Sequence, residues 1–257
     1  MKSRAIALAV VMLGVCFAPI LSPYDPTETK FTTLAPPSSE HLLGTDLLGR
    51  DILSRALHGA PHTLGIGITA ASAAFILGII GGIISTSHSW VVRTATEAII
   101  NTTLAFPGLA LALIVLTLLG GSTQSIIVAA ATAQIAPTIR VIRAALLQVQ
   151  TQDYMMAAKS LGGSRMWQTR YYLLPNILPT LTAYFGVVFS YCLLNSAALS
   201  FLGLNGDPSQ ADWGTMLYEG RAAFRSAPLA AFIPGMGITL SILFVQWAAR
   251  GISDPRE

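Results

Sequence analysis

The stretch Asp153-Tyr154-Met155-Met156-Ala157-Ala158-Lys159-Ser160-Leu161-Gly162-Gly163-Ser164, with its continuation to Leu174-Pro175, is polar, lies between apolar segments and yet is not written like a loose loop. Tyr154, Ala158 and Leu161 fall at i, i+4 and i+7, the apolar stripe of a short helix. Gly162 and Gly163 stop that helix, because glycine enters the left-handed cap conformation without steric cost. Ser164 can cap a second short helix whose stripe is Trp167, Tyr171 and Leu174. Pro175 and Pro179 mark the return to apolar sequence. The expected product is a rigid two-helix knob over residues 150–176, outside a bilayer and able to press on a soluble partner.

The flanks decide the solvent. Of 257 residues, 53% are hydrophobic and only 11% charged, whereas a soluble domain carries about 25% charged residues. Runs of about 20 apolar residues cross a bilayer. The sequence predicts six such spans, at 6–21, 62–85, 95–119, 125–142, 177–202 and 229–249. The expected fold is therefore all-α and integral to a membrane. It divides into an N-terminal span with an outer segment (1–61) and a five-span core with the knob (62–257). Lys2 and Arg4 ahead of the first apolar run imitate a secretory signal, but no clean small-x-small cleavage site follows, so it reads as a retained span. Cys16 and Cys192 both sit in apolar segments and read as packing residues.

Orientation follows from Lys and Arg, which favour the cytoplasmic side. With the N-terminus inside, Lys2, Arg4, Arg93, Arg140, Arg143, Lys159, Arg165, Arg170, Arg250 and Arg256 are inside, ten of the 15 basic residues. Asp25, Glu28, Glu40, Asp46, Asp51, Asp207, Asp212 and Glu219 are then all outside. Both termini and the knob face the cytoplasm in this reading.

In the outer segment, the residues from Thr45 onward suit a weakly sided helix lying at the membrane face, capped by Thr45 or Asp46. Gly44, four residues, then Gly49-Arg50-Asp51 nearly spells a phosphate-binding loop. The Lys and the hydroxyl residue that such a loop needs are missing, and an Asp there repels phosphate. His58 and His62 have a metal-ligand spacing on a helix, but Pro61 and Gly59 disfavour that helix and further ligands are wanting. Inside the spans the deep polar residues are neutral. Asn101, Gln134, Asn195 and Ser196 either line a polar path or hydrogen-bond neighbouring helices. Gly78 and Gly82 form a small-xxx-small pair for close helix approach. Pro107 and Pro137 read as kinks.

The pattern Ala157-Ala158, three residues, Gly162, nine residues, Tyr172-Leu173-Leu174-Pro175 resembles the "EAA" loop of ATP-driven (ABC) importer permeases, with Met156 where Glu is usual and Tyr172 where Ile is usual. "HLLGTDLLGRDILSRALHGA" (41–60), "LSFLGLNGDPSQADWGTMLYEGRAAFRSAP" (199–228) and the ending "DPR" resemble the oligopeptide, dipeptide and nickel branch of that family, in its "C" type of paired permease. The resemblance implies a type I importer fold and a bacterial inner-membrane location. It implies a homologous permease, two cytoplasmic ATPases and an extracytoplasmic solute-binding protein as partners, and no nucleic acid. The chain itself would be neither an enzyme nor a cofactor carrier, with ATP and magnesium held by the ATPases. Carried over, the ATPase contact involves Tyr154, Met156, Ala157, Ala158, Leu161, Gly162, Trp167, Tyr172, Leu174 and Pro175. The binding protein's contact involves Asp207, Asp212, Trp213, Glu219 and Arg221. The substrate is peptide, nickel or a metal chelate. An ion-coupled secondary transporter would require buried ionisable residues or inverted repeats, and a non-transporting scaffold or sensor would show no vectorial uptake.

Overall fold

The computed structural model describes residues 2–87, 89–205 and 209–253. Among them all regular structure is helical, apart from one antiparallel bridge between Thr45 and Asp51. The order is α1 (Lys2–Phe17, continued by a 3-10 turn Ala18–Leu21), α2 (Ile52–Ser85), α3 (Trp90–Leu104), α4 (Gly108–Leu119), α5 (Thr123–Gln150), α6 (Asp153–Ser160), α7 (Arg165–Gln168), a π-helical turn (Thr169–Leu173), α8 (Leu174–Phe201), α9 (Trp213–Gly220) and α10 (Leu229–Ser253).

Four helical stretches are long and apolar enough to cross a membrane: α2, α5, the run Met166–Phe201 and Leu229–Gly251. The third expected span is broken. α3 and α4 meet at 93° across 105–107. Pro107 is the N-cap of α4, and its missing N–H could not have continued α3. Counted as one span, this pair makes a fifth. The first apolar stretch, Ile6–Leu21, is shorter than the other spans.

The core is built where small residues let helices touch. A Cβ on Gly78 would lie 2.2 Å from the Thr138 side chain, and one on Gly82 would lie 2.5 Å from that of Ile142. The expected small-residue pair therefore has α5 as its partner, and only glycine permits that spacing. Ala70, Ala71, Ala74, Ala129 and Ala130 are wholly buried nearby, while Phe189, Cys192 and Leu193 of α8 close the same core. The opposite faces carry exposed Ile80, Ile83, Leu118 and Leu243, as a lipid-facing surface should.

The start of α2 departs from expectation. Residues 45–50 form a turn, and the helix begins at Ile52. The Asp51 carboxylate caps it by accepting from the Ser54 N–H at 2.8 Å. Thr45 cannot cap: its hydroxyl donates to the Thr32 carbonyl at 2.5 Å and accepts from the Ala35 N–H at 2.8 Å. α2 then runs unbroken through Pro61 and so through the division drawn between 61 and 62. Proline here removes one backbone donor, the partner of the Leu57 carbonyl, without ending a helix already held by packing. Pro137 likewise lies inside a continuous α5.

Candidate functional site

The knob sits where α5 gives way to α8. α6 is eight residues long. Gly162 follows with φ of 72°, the left-handed region. The Gly163 N–H donates to the Ala158 carbonyl at 3.3 Å and the Gly162 N–H to the Lys159 carbonyl at 3.0 Å. These are the two bonds of a Schellman cap, the stop expected from the sequence. Ser164 Oγ then accepts from the Trp167 N–H at 3.3 Å, as an N-cap does.

Two expectations about the knob need correction. The buried side chains of α6 are Met155 and Ala158, 3% and 1% exposed, whereas Tyr154 and Leu161 are exposed. The helix is turned so that Met155 replaces Tyr154 on the inner face. The second helix is also not a separate piece. α7 passes through the π-helical turn directly into α8, so Pro175 lies inside one continuous helical run and leaves the Tyr171 carbonyl without its i+4 donor.

Aromatic contacts lock the two halves together. Tyr154 stacks on Tyr172 with ring centroids 6.4 Å apart, and Trp167 meets Tyr172 edge-on at 5.0 Å. A Cβ on Gly163 would strike the Trp167 ring at 2.4 Å. Around this frame, Met156, Leu161, Met166 and Leu174 point outward, with Leu161 79% and Met166 77% exposed. Ala157 and Pro175 are exposed beside them. A rigid frame bearing exposed methionine and leucine side chains is built for contact with another apolar surface.

The opposite end of α8 is organised differently. Asp46, Arg50 and Arg55 are buried at 6%, 6% and 2% exposure. Asp46 Oδ2 takes Arg50 Nε at 2.7 Å and Arg55 Nη1 at 2.8 Å. Glu219, on α9, takes Arg50 Nη2 at 2.6 Å and also Arg55 Nη1. Two guanidinium groups and two carboxylates thus clamp α9 onto the segment that starts α2. Burial pushes the Asp46 carboxyl up, but the Arg50 backbone N–H and the charges of Arg50 and Arg55 outweigh it, so its pKa lies below the ordinary carboxylate value. The near phosphate-loop belongs to this clamp. A Cβ on Gly44 would lie 2.4 Å from the Ala35 carbonyl oxygen and one on Gly49 2.3 Å from that of Phe31. The glycines serve backbone packing, and Arg50 and Asp51 are engaged internally.

The residues expected to meet a binding protein divide. Asp212 is 1% exposed; it caps α9 through the Thr215 N–H at 3.0 Å and accepts from the Thr63 hydroxyl at 2.7 Å. Trp213 is 7% exposed and its indole N–H donates to the Ala56 carbonyl at 3.0 Å. Both hold α9 against α2 and present no outer surface. Arg221 is exposed, its guanidinium 4.3 Å from the Tyr218 ring. Asp207 lies outside the described residues.

Among the described residues no hydrogen bond joins the side chains of the four path residues. Gln134 and Ser196 are buried, and the Ser196 hydroxyl donates to its own helix at the Leu193 carbonyl. Asn195 Nδ2 is buried without a partner. Asn101 lines a recess of about 400 Å³ with Glu97, Arg140 and Arg143. His58 Nδ1 lies 2.9 Å from the Ser54 carbonyl oxygen, and no group of three metal-ligating side chains occurs among the described residues.

This fold, with a helical knob between α5 and α8, is that of a type I ABC importer permease. A chain of the MetNI methionine ABC transporter, inward-facing, superposes with a TM-score of 0.64 at 19% identity, covering 77% of this chain and 94% of that one. Residues 74–256 match the family described as binding-protein-dependent transport system inner membrane component. The chain belongs to that family. It is the multi-pass inner-membrane permease subunit of an ABC importer and not an enzyme. It is 32% identical over 254 residues to the di/tripeptide transport system permease protein of Pseudomonas aeruginosa, covering 96% of this chain and 84% of the relative. It is 33% identical over 261 residues to the glutathione transport system permease protein of Escherichia coli, covering 96% and 83%.

Proposed function

We propose that this chain forms half of the membrane path of a peptide importer, with a homologous permease as the other half. Both termini and the knob face the cytoplasm, and the knob seats in a cleft of one of two ATPases, which bind the ATP and magnesium. An extracytoplasmic binding protein delivers the peptide to the end that carries α9. The observation that carries this reading is the knob itself, a cap-locked and aromatic-locked frame whose exposed side chains are apolar on the side where the Lys and Arg count places the cytoplasm. Relatives named for peptide, dipeptide and glutathione transport support a short peptide as cargo. ATP drives the cycle by binding one conformation of the assembly better than the other.

Proteoliposomes holding the permease pair and ATPases, supplied with the binding protein, should take up a labelled dipeptide only with ATP and all partners present. Uptake on an ion gradient alone would refute the reading. Orientation is tested separately by single cysteines in intact cells. An impermeant reagent should label positions 38 and 209 and spare position 164, and the reverse pattern would invert the topology.

A further inference from the structure

The recess on the side of α3 and α5 is distinct from the knob and the clamp. It is lined by Glu97, Ile100, Asn101, Arg140, Arg143 and Leu147, and has a volume of about 400 Å³. Arg140 and Arg143 stand one turn apart on α5, and Glu97 and Asn101 one turn apart on α3, so each pair shares a helix face. Glu97 is ion-paired with Arg143 through Nη2. That pair cancels one charge of each sign. Arg140 is exposed and makes no ion pair among the described residues. Arg143 Nε is buried and has no hydrogen-bond partner. The recess therefore keeps one uncompensated cation, one unused guanidinium donor and the Asn101 amide around a space with Ile100, 4% exposed, at its side.

We propose that this recess binds the phosphate of an anionic phospholipid from the leaflet in which it opens. Basic pockets between membrane helices on the cytoplasmic side hold anionic headgroups for this reason: a charged donor set at headgroup depth beside apolar wall for the acyl chains. The free guanidinium of Arg140 supplies the charge and Arg143 Nε a directed N–H, while Glu97 is neutralised by its own partner and does not repel the phosphate. Ala144 and Leu147 of α5 supply the rest of the apolar wall. The proposal uses the orientation above only to name the leaflet. A binding measurement does not depend on sidedness, so it and the cysteine labelling can fail independently.

The assembled importer, purified in a zwitterionic detergent, is titrated with phosphatidylglycerol, phosphatidylcholine or a dipeptide, and bound lipid is counted by native mass spectrometry. The expected result is a preference for phosphatidylglycerol that falls roughly fivefold in Arg140→Gln, the effect of removing one cation near a headgroup. Arg140→Lys keeps most of it. Because Arg140 has no ion-pair partner among the described residues, Arg140→Gln should assemble and unfold at the wild-type temperature. Equal binding of the two lipids, an unchanged preference in Arg140→Gln, or displacement of the lipid by the dipeptide would each overturn the proposal, the last by assigning the recess to cargo.

Discussion

The clamp and the knob are both short helical corners set against long helices, and they treat their side chains in opposite ways. The clamp buries Asp46, Arg50 and Arg55, half-buries Glu219 and pairs all four within the chain, with Arg55 Nε and Nη2 left over among the described residues. The knob satisfies its backbone ends and stacks its aromatics, yet leaves Met156, Leu161 and Met166 in the open. A region that closes on itself is a part of the fold. A region that is rigid but unfinished is waiting for another surface. Substitutions should therefore fail in different ways at the two corners: loss of fold at the clamp, loss of partner at the knob.

The largest effect is expected at Arg55. Arg55→Ala leaves Asp46 and Glu219 sharing one arginine in a buried site, a loss of roughly 3–5 kcal/mol by analogy with broken buried ion pairs. Thermal unfolding in detergent should show a strongly destabilised chain, and wild-type stability would mean that the clamp is not structural.

At the knob, Gly162→Val forces a β-branched residue into the left-handed region at about 1–3 kcal/mol. Ala158→Leu overfills a buried contact at about 1–3 kcal/mol. Both should insert normally yet lose ATPase co-purification and ATP-driven uptake. Wild-type transport by both would remove the knob as the coupling element. Exposed Ala157 sharpens the contrast, since Ala157→Leu should weaken the ATPase contact without changing the unfolding temperature.

A smaller effect should follow pH at the clamp. The Asp46 carboxyl has a lowered pKa in the fold. The unfolded chain thus takes up its proton first, so the stabilisation is fully present above the ordinary carboxylate pKa of about 3.9. It is lost as pH falls through the depressed folded value. In Asp46→Asn the part of the acid-induced loss due to this group should vanish, and an unchanged acid profile would show that Asp46 does not titrate there. The smallest effect is expected from His58→Ala with His62→Ala, which should leave dipeptide uptake within about a few-fold of wild type because neither belongs to a ligand set. A large selective loss would expose a site that the helix face conceals.

Much of this was legible in the sequence. Long apolar runs located the spans, and the pair Gly162-Gly163 located the stop in the knob, because both depend on local chemistry. What escaped depends on direction or distance. Pro107 marked a kink in the third span, but the apolar run continues through Ala105 and Phe106, so hydropathy cannot register that the kink is a 93° turn. The expected caps were Thr45 and Asp46, and only their contacts show why neither serves: Thr45 is held by Thr32 and Ala35 and Asp46 by Leu48, Arg50 and Arg55, which leaves the cap to Asp51. Glu219 is 164 residues from Arg55, which is why it read as a surface acid. The hint was available nearer by: Asp46 with Arg50 four residues on is an ion-pair spacing. The same long-range packing withdraws Asp212 and Trp213 from the surface.

Because α7, the π-helical turn and α8 are continuous, the run Met166–Phe201 is a single rod of 36 residues. At 1.5 Å per residue it is about 54 Å long. If it pivots near the knob, a tilt of about 5° there carries the Phe201 end sideways by roughly 5 Å, the width of a peptide backbone. In the proposed assembly, leverage of this kind would turn a small shift of an ATPase cleft into an opening at the other end of the rod. The wider π-helical coil at Thr169–Leu173 sits at the handle, where one spare residue lets the rod yield before it breaks.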